Sequence, residues 1–484
     1  MHQRLEEIIQ VRRQKLQLLK DRGIDPYPPE TGRTHTNAQV LHGFQKLQGK
    51  PITLVGRIRS WRAMGKIVFC HIEDGTAKIQ VLVKEENIGE MFPIFTDAFD
   101  IGDFIECTGT LFLTKTKEKT LEVTSVRMLA KSLLPLPAEH YGLHDEEIRL
   151  RKRYLDILLN PEIKELFVKK NAFWLTMRSF LIKKGFLEVD MPVLESVPGG
   201  AEAEPFVTHH NALDKNFFLR ISLELPLKKM LVAGYEKVFE IGRIFRNEGI
   251  DTEHLQDYTQ MEFYWAYASF DDLMEFLREL YQSVIQETFG ALDLAFRNQT
   301  IHWGGEWQKL DYFTVFQKHT GIDLHSASIN EIRAYADKQH IAYEPSAGKG
   351  RTIDLIFKKK IRPLSEISMQ PAFLINQPVE VEPLAKRVPG EPNKVQRLQI
   401  LACGTELGKG FGELNDPLDQ RERFVEQMQL RAAGDKEAQM IDESYIEAME
   451  YGMPPAAGFG ISERLFAVLC DKSVRETVIF PPMK

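Results

Sequence analysis

The residues best suited to chemistry lie between positions 237 and 267, in two alternating apolar segments separated by a polar loop. In the first segment, Arg246 and Glu248 would share one face of a strand, and in the second Glu262 and Tyr264 would do so. An antiparallel pairing would place all four on one face, where an arginine and two carboxylates could bind charged groups. A solvated outer face of a sheet gives the same alternation, so the pattern alone leaves both interpretations open.

Four segments in order along the chain resemble the signature motifs of class II lysyl-tRNA synthetases. They are residues 163–206, ending in PGGAE, for motif 1 and its substrate loop; FRNEG at 245–249 with TQMEFY at 259–264 for motif 2; GFGELND at 410–416 for the lysine-site strand; and GFG at 458–460 with ERL at 463–465 for motif 3. Each segment is a weak signal alone, but four in order at compatible spacing are specific. Together with the N-terminal helix and barrel described below, the resemblance covers essentially the whole chain.

The resemblance implies an ATP-dependent ligase that activates L-lysine as lysyl-adenylate and transfers the lysyl group to the 3′ end of tRNA(Lys). The implied fold is α/β, of the α+β kind, with an antiparallel-sheet catalytic domain of the class II type after an N-terminal OB-fold β-barrel. A homodimer formed through motif 1 and a Mg²⁺ cofactor beside ATP are also implied. Neither reaction step needs a covalent enzyme nucleophile, so the protein positions reactants and neutralises developing charge.

The resemblance places ATP on motifs 2 and 3. The implied catalytic residues are Arg246, Glu248 and Arg464, and the implied ATP-binding residues are these three with His254 and Tyr258. Arg246 would bridge the lysine carboxylate and the α-phosphate, because a rigid, permanently charged fork suits two oxyanions. Glu248 would meet the adenine end and His254 the phosphates. Tyr258, where the family usually has phenylalanine, would sandwich the adenine with Arg464.

The resemblance also implies an acidic pocket for lysine. A substrate with two ammonium groups needs anions at both ends of its pocket. The matching positions are Gly200, Glu224 and Glu262 around the α-amino group, Tyr264 and Glu413 around the ε-ammonium, and Phe411 beside the aliphatic stem.

Besides Tyr258, three positions near the metal, lysine and phosphate sites depart from the family pattern. Gln399 stands where one of two magnesium-binding acids is common, which leaves Glu406 as the expected metal ligand. Lys409 replaces a usual asparagine near the lysine site, and Glu253 replaces a phosphate-directed arginine. We therefore predict fewer tightly held magnesium ions than in the family at large.

The elements that must position these residues begin with a small barrel between about residues 52 and 129. Alternation predicts that Val68, Cys70, Ile72, Ile79, Val81 and Val83 point inward, and that Phe69, His71, Glu73, Lys78, Gln80 and Leu82 point outward. An outward aromatic ring near an amide can stack one base and hydrogen-bond another, although a stray surface aromatic gives the same pattern. The resemblance identifies Phe69 and Gln80, with Arg62, as anticodon-reading positions.

The predicted domains are a helix and lead-in at 1–50, the barrel at 51–132, a linker at 133–150 and the catalytic domain at 151–484. The lead-in contains an amphipathic helix from about Leu5 to Leu19, whose excess of basic residues suits either a solvated surface or an RNA contact. The catalytic domain opens with a helix that places apolar residues from Ile163 to Leu181 at helical spacing and ends near Gly185. Residues 291–378 indicate only mixed helices and loops.

Bulk composition limits the class of protein. A net charge of -7 argues against indiscriminate nucleic-acid binding, so any RNA contact must be local. The apolar runs are too short for a membrane helix, and the acidic start does not resemble a signal peptide, so we expect no membrane partner and a cytoplasmic location. The four scattered cysteines suggest neither a disulfide framework nor a zinc site.

Three competing interpretations share parts of this pattern. An aspartyl- or asparaginyl-tRNA synthetase has the same architecture, but its acidic or neutral substrate would not suit a pocket lined by glutamates. A related enzyme that lysylates a protein lacks the barrel. A regulatory protein on a retired scaffold would not need Arg246, Glu248 and Arg464. Pyrophosphate exchange with different amino acids separates these interpretations.

Overall fold

The computed structural model describes residues 2–137, 145–249, 255–345, 347–434 and 438–483. The chain divides into two compact units, Met1–Asp145 and Glu146–Lys484. This division falls within the predicted linker at 133–150, whose last residues are helical. In the described residues, no helix has the length and apolar character needed to cross a membrane.

The first unit is a five-stranded closed barrel with short helices. Its strands are β1 (Pro51–Met64), β2 (Ile67–Glu73), β3 (Lys78–Lys84), β4 (Phe104–Leu113) and β5 (Lys119–Ala130), and its helices are α1 (His2–Asp21), α2 (Asn37–His42), α3 (Phe44–Leu47), α4 (Glu85–Ile88) and α5 (Met91–Ala98). The strand order is β1-β2-β3-β5-β4, closed by pairing of β4 with β1. This confirms the predicted OB-fold barrel.

The alternation of β2 and β3 sorts side chains as predicted, with one exception. All six residues predicted to point inward are buried, and Phe69, His71 and Gln80 are only partly buried. Leu82, predicted to point outward, is only 6% exposed. It lies directly opposite Phe69 on β2, and α4 packs on β3 immediately after it, so this end of the strand is covered on both faces.

Helix α1 is longer than predicted, and two of its cations bind within the first unit. The Arg12 guanidinium donates hydrogen bonds to the carbonyl oxygens of Ile101, Ser132 and Leu134, and Lys15 forms a 2.7 Å ion pair with Asp100. These two side chains therefore hold the helix in place, because their charges are already matched by local acceptors.

The second unit is built on one large sheet. Its strands are β6 (Leu187–Glu188), β7 (Leu194–Glu195), β8 (Val207–His210), β9 (Lys215–Leu219), β10 (Lys237–Phe245), β11 (Asp257–Ala266), β12 (Asp293–Phe296), β13 (Gln299–His302), β14 (Gln308–Asp311), β15 (Ala372–Pro378), β16 (Arg387–Val388), β17 (Glu391–Ala402), β18 (Thr405–Gly412) and β19 (Ala456–Ser462). In the described part of the chain, nine of these form the sheet in the order β14-β15-β17-β18-β19-β11-β10-β6, with β16 on β17. Neighbouring strands are antiparallel except for β14 with β15 and β6 with β10.

Helices cover the sheet and connect its strands. They are α6 (Glu146–Arg151), α7 (Arg153–Leu159), α8 (Pro161–Lys183), α9 (Glu224–Val232), α10 (Phe270–Phe289), α11 (Tyr312–Thr320), α12 (Ile329–Lys338), α13 (Lys349–Ile356), α14 (Ser365–Ser368), α15 (Pro417–Ala432), α16 (Glu443–Glu450) and α17 (Arg464–Leu469). Apolar residues of α8 and α10 pack with Met261, Phe263 and Phe459 on one face of the sheet. The polar residues of these strands therefore lie on the other face.

The predicted antiparallel pair is β10 with β11, but its first strand is shorter than predicted. Strand β10 ends at Phe245, so Arg246 and Glu248 lie in the loop beyond it. The Arg246 amide donates to the Gln256 carbonyl at 2.9 Å, and the Asn247 amide donates to the Glu204 carbonyl at 2.7 Å. The bond to Gln256 continues the register of the pair, in which Phe245 is opposite Asp257, whereas the bond to Glu204 leaves the pair and ends the strand. The contact with Glu204 is distant in sequence, so alternation does not encode it.

Candidate active site

Two adjoining cavities open on the polar face of the large sheet. The larger has a volume of about 990 Å³ and the smaller about 130 Å³. Six residues line both: Arg246, Tyr258, Glu406, Lys409, Ser462 and Arg464. This shared boundary, called the seam below, carries three cations and one carboxylate. A ligand reaching from one cavity to the other would pass a positively charged region that suits anionic groups.

Cross-strand register places the walls of the small cavity. Lys409 on β18 is opposite Gly460 on β19, which is opposite Glu262 on β11. In the adjacent row, Phe411 is opposite Gly458, which is opposite Tyr264. The two glycines leave open the space that side chains would otherwise fill. A Cβ at Gly458 would meet both the Glu413 carboxylate and the Tyr264 ring.

The structure brings five of the six predicted lysine-binding residues to the small cavity. These are Gly200, Glu224, Glu262, Tyr264 and Phe411. Gly200 has a left-handed backbone (φ +80°), and a Cβ there would lie 2.8 Å from the Glu224 Cβ, so both conformation and space favour glycine. Glu413 does not line the cavity, but its carboxylate lies behind Gly458.

Glu262 is held in place by hydrogen bonds from surrounding donors. Its Oε1 accepts from the Ser222 hydroxyl at 2.8 Å and the Leu223 amide at 3.0 Å, and its Oε2 accepts from the Tyr264 hydroxyl at 3.0 Å. These bonds fix the carboxylate and orient Tyr264, whose hydroxyl oxygen remains an acceptor for a ligand.

A buried lysine of the chain itself lies beside this pocket. The Lys228 ammonium forms a 2.6 Å ion pair with Glu224 and a second ion pair with Glu413, and all three side chains are at most 3% exposed. Burial alone would lower the pKa of Lys228, but the two carboxylates raise it well above its usual value. Burial in turn raises the pKa of both carboxyl groups. With all groups ionised, Glu224, Glu262, Glu413 and Lys228 carry a net charge of -2.

Sequence reasoning missed Lys228, although one signal was present. Glu224 and Lys228 are four residues apart, the spacing of an ion pair on one face of a helix. Such a pair usually lies on a solvated surface, and only the packing of α9 against β10, β11 and α16 shows that this one is buried.

The large cavity brings together the predicted nucleotide-binding residues that the structure describes. Arg246, Glu248, Tyr258 and Arg464 line it, whereas His254 and the divergent Glu253 lie outside the described residues. The Arg246 guanidinium lies 5.7 Å from the centre of the Tyr258 ring. Burial raises the pKa of Tyr258, so its hydroxyl stays neutral near pH 7. A flat ring beside arginines can stack with a nucleobase.

Four further cations line the large cavity from a region that the sequence left unassigned. They are Lys349, Arg351, Lys358 and Arg362, on or after α13. A Cβ at Gly350 would collide with the backbone of Glu380, so glycine is needed for this close approach. In the sequence GKGR at 348–351, glycines alternate with basic residues. This pattern could have indicated an anion-binding segment.

The comparisons with known proteins agree with this geometry. Residues 145–484 match the family model of class II tRNA synthetases (D, K and N), and residues 52–129 match that of the OB-fold nucleic acid binding domain. A lysine–tRNA ligase of Carboxydothermus hydrogenoformans is 42% identical over 100% of this chain and 99% of that protein. A lysine–tRNA ligase of Bacillus subtilis is 39% identical over 100% of this chain and 98% of that protein.

The chain belongs to the class II lysyl-tRNA synthetase family. The match spans both units, so it includes the barrel as well as the sheet that carries the two cavities. This confirms the family, the fold class and the enzyme class expected from the four motifs.

Of the two residues expected at the magnesium site of this family member, one is a carboxylate that reaches the cavities. Glu406 lines both cavities, but Gln399 lines neither. The Gln399 amide donates to Glu406 at 2.5 Å and its oxygen accepts from Gln377 at 3.0 Å. Among the residues that the structure describes, no three acids, histidines or cysteines are grouped to hold a metal.

On the barrel of this family member, the predicted anticodon residues share one outer face. Arg62 on β1 is directly opposite Phe69 on β2, and Gln80 on β3 is opposite His71. The Gln80 amide donates to Glu118 and its oxygen accepts from Thr120, both at 2.8 Å. The face therefore offers an aromatic ring beside a cation and a positioned amide, a combination that suits an unpaired base.

Proposed function

We propose that this chain activates L-lysine with ATP and transfers the lysyl group to the 3′ end of tRNA(Lys) for protein synthesis. One observation carries the proposal: a small anionic pocket opens through a cationic seam into a cavity large enough for a nucleotide. With all four groups ionised, as they would be when lysine is bound, the charge of -2 balances the two ammonium groups of lysine, while the seam suits its carboxylate and the α-phosphate. Relatives that align over the whole chain are lysine–tRNA ligases, which supports the same assignment.

In the first step, a lysine carboxylate oxygen attacks the α-phosphorus of ATP. The bond from that phosphorus to the β-bridging oxygen breaks, and pyrophosphate leaves with the electron pair. Arg246 lies at the seam, where its guanidinium can hold both oxyanions in line. Tyr258 and Arg464 would enclose the adenine, Glu248 would contact its edge, and His254 would meet the phosphates.

In the second step, a ribose hydroxyl at the 3′ end of the transfer RNA attacks the lysyl carbonyl carbon. The bond to AMP breaks, AMP leaves with the electron pair, and the hydroxyl proton passes to a phosphate oxygen of the departing AMP or to water. The chain contributes mainly position and charge, because no nucleophilic side chain is needed for either step.

The lysine side chain would lie along Phe411 with its ends held by the acids. Glu262, Glu224 and the Gly200 loop would bind the α-amino group, and Tyr264 and Glu413 the ε-ammonium. Lys228 would act as a positioning residue, because it fixes two of the carboxylates without lining the cavity. An aspartate substrate would bring a fourth carboxylate beside Glu224, Glu262 and Glu413, which disfavours the aspartyl-tRNA synthetase alternative.

Mg²⁺ would accompany ATP and be held by Glu406. A hard divalent ion is commonly bound by one or two carboxylates together with substrate phosphates, and Glu406 meets that requirement at the seam. When bound, the ion would neutralise phosphate charge. The Gln399 amide would orient Glu406 and would not itself be a ligand.

Phe69, Gln80 and Arg62 would read the anticodon on the barrel. A second copy of the chain would complete a homodimer through α8, and the location would be cytoplasmic, where transfer RNA is charged.

The test is pyrophosphate exchange with each amino acid in turn, followed by charging of transfer RNA. We expect exchange with lysine well above that with any other amino acid. Arg246→Ala should abolish it while leaving the circular dichroism spectrum unchanged. Exchange that depends on aspartate or asparagine, or on no amino acid, would contradict the proposal.

A further inference from the structure

Lys409 occupies an unusual place in the sheet. It is the cross-strand partner of Gln399 on one side and of Gly460 on the other. One neighbour is therefore an uncharged amide and the other has no side chain. The next residue along this row is Glu262, two strands away, which is about 10 Å at ordinary strand spacing. The row thus leaves the ammonium without an adjacent carboxylate on either neighbouring strand.

The remaining contacts of Lys409 are long. Its Nζ lies 3.8 Å from Glu382, beyond hydrogen-bonding distance, and 5.5 Å from the centre of the Phe411 ring. Glu382 also lies 3.7 Å from Arg397, so its charge is shared between two cations. The Lys409 side chain is 34% exposed and lines both cavities. It is therefore open to a ligand at the seam.

The carboxylates at the seam are correspondingly few. Among the described residues, Glu406 is the one acid that lines both cavities. Its neighbour Gln399 has both ends of its amide in use, one toward Glu406 and one toward Gln377. The seam thus offers one carboxylate to a divalent ion and contributes Lys409 as a further cation, although other acids line the large cavity away from it.

We propose that the Lys409 ammonium binds the α-phosphate of ATP and supplies positive charge there that would otherwise require an additional divalent ion. This inference rests on the proposed function, since it takes the seam as the place where lysine carboxylate and α-phosphate meet. Lys409 stays protonated throughout and donates N–H groups to a non-bridging α-oxygen. It transfers no proton, and the bonds made and broken remain those of the first step.

The first experiment measures ATP binding by calorimetry, with EDTA and then with saturating Mg²⁺. Lys409→Met should weaken binding in EDTA by about ten- to one-hundredfold, the range expected for one charge-assisted hydrogen bond. The loss should shrink when Mg²⁺ is present. The matched control is Lys309→Met, which removes an exposed lysine of β14 on the same sheet and should leave both affinities unchanged. Equal affinity of the parent and Lys409→Met in EDTA would overturn the proposal.

The second experiment counts bound ions by Mn²⁺ electron paramagnetic resonance, with a non-hydrolysable ATP analogue. The double variant Gln399→Glu with Lys409→Asn adds a carboxylate and removes the ammonium at one cross-strand pair. We expect it to bind one more Mn²⁺ than the parent. If both proteins bind the same number of Mn²⁺ ions, the Lys409 ammonium does not take the place of a divalent ion.

The two proposals can fail separately. Absence of lysine-dependent exchange in the parent would reject the proposed function, even if ATP binding in EDTA depended on Lys409. If the parent shows lysine-dependent exchange but Lys409→Met binds ATP in EDTA as tightly as the parent, only the role of Lys409 is rejected. Thermal unfolding of each variant shows whether the fold is intact, since a purely structural role would lower the melting temperature without changing ATP affinity.

Discussion

At the scale of single residues, the lysine pocket depends on a buried set of charges more than on any one acid. Glu413 and Glu224 share Lys228, and Glu262 is held by hydroxyl and amide donors. With lysine bound, Glu413 and the ε-ammonium would form a buried pair, and removing the acid would leave that ammonium uncompensated at a cost of about 3 to 5 kcal/mol.

Glu413→Gln should therefore reduce lysine activation by roughly two to three and a half decades, since about 1.4 kcal/mol corresponds to one decade. Steady-state pyrophosphate exchange gives this value, and ATP affinity should barely change because Glu413 does not line the large cavity. The ratio of lysine activation to norleucine activation should fall, because norleucine lacks the ε-ammonium that Glu413 would bind. Near-parent activation with undiminished discrimination would remove Glu413 from the pocket and favour Glu224.

The same carboxyl groups predict how lysine affinity depends on pH. Burial raises the pKa of Glu224 to about 7 and that of Glu413 to about 8. Because these pKa values are raised, the two carboxyl groups of the free protein are partly protonated near neutrality. Lysine binds the ionised carboxylates, so its binding releases these protons. The KM for lysine should fall as pH rises from about 6 to about 8, by up to about tenfold per unit for each proton released. Glu413→Gln should flatten this slope, and a KM that rises over this interval would contradict the assignment.

At the scale of elements, alternation along strands predicted faces well where both neighbours in the sheet are regular. Apart from Leu82, it separated the inner and outer residues of β2 and β3, and it separated the buried Met261 and Phe263 of β11. Arg246 lines the small cavity with Glu262 and Tyr264, as alternation predicted, but β10 ends at Phe245 because Asn247 bonds Glu204 outside the strand pair. Alternation could not show that Lys228 is buried, because that depends on the packing of α9 against β10, β11 and α16.

The barrel face gives a test at this scale. Phe69→Ala should weaken charging of transfer RNA by roughly 1 to 3 kcal/mol if the ring stacks on a base. Lysine-dependent pyrophosphate exchange should not change, because that reaction does not need RNA. The barrel core lies on the opposite side of β2, so Phe69→Leu is a suitable control for packing. Parallel losses of charging and exchange would indicate misfolding rather than a lost base contact.

At the scale of the whole molecule, α8 carries an apolar stripe that the second unit does not cover. Val168, Leu175 and Ile182 recur at every seventh position and are each more than half exposed. Residues at this spacing lie on nearly the same side of a helix, which suits packing against an identical helix. The opposite side of α8 is buried in the core of the unit.

Sedimentation at micromolar concentration should give twice the chain mass of 55.7 kDa. Leu175→Glu should shift the equilibrium toward the single chain, because two carboxylates would then meet at the contact. Leu418→Glu is the matched control, because it makes the same substitution at an exposed leucine of α15 and should leave the dimer intact. A parent protein that sediments at the mass of one chain and still exchanges pyrophosphate would exclude the dimer.

The internal ion Lys228 constrains how the substrate preference of this molecule can change. The chain carries, fixed between two acids, the same functional group that its pocket is built to admit. A single substitution of Lys228 by an uncharged residue would leave Glu224 and Glu413 facing each other with no cation between them. A single neutralisation of Glu413 would instead leave Lys228 paired with Glu224 and would change the charge of the set from -2 to -1, which suits an amino acid with one ammonium group. Re-engineering the pocket for a neutral substrate therefore has to begin at Glu413 and retain Lys228. The internal ion thus determines which buried acid the molecule can lose without stranding a charge.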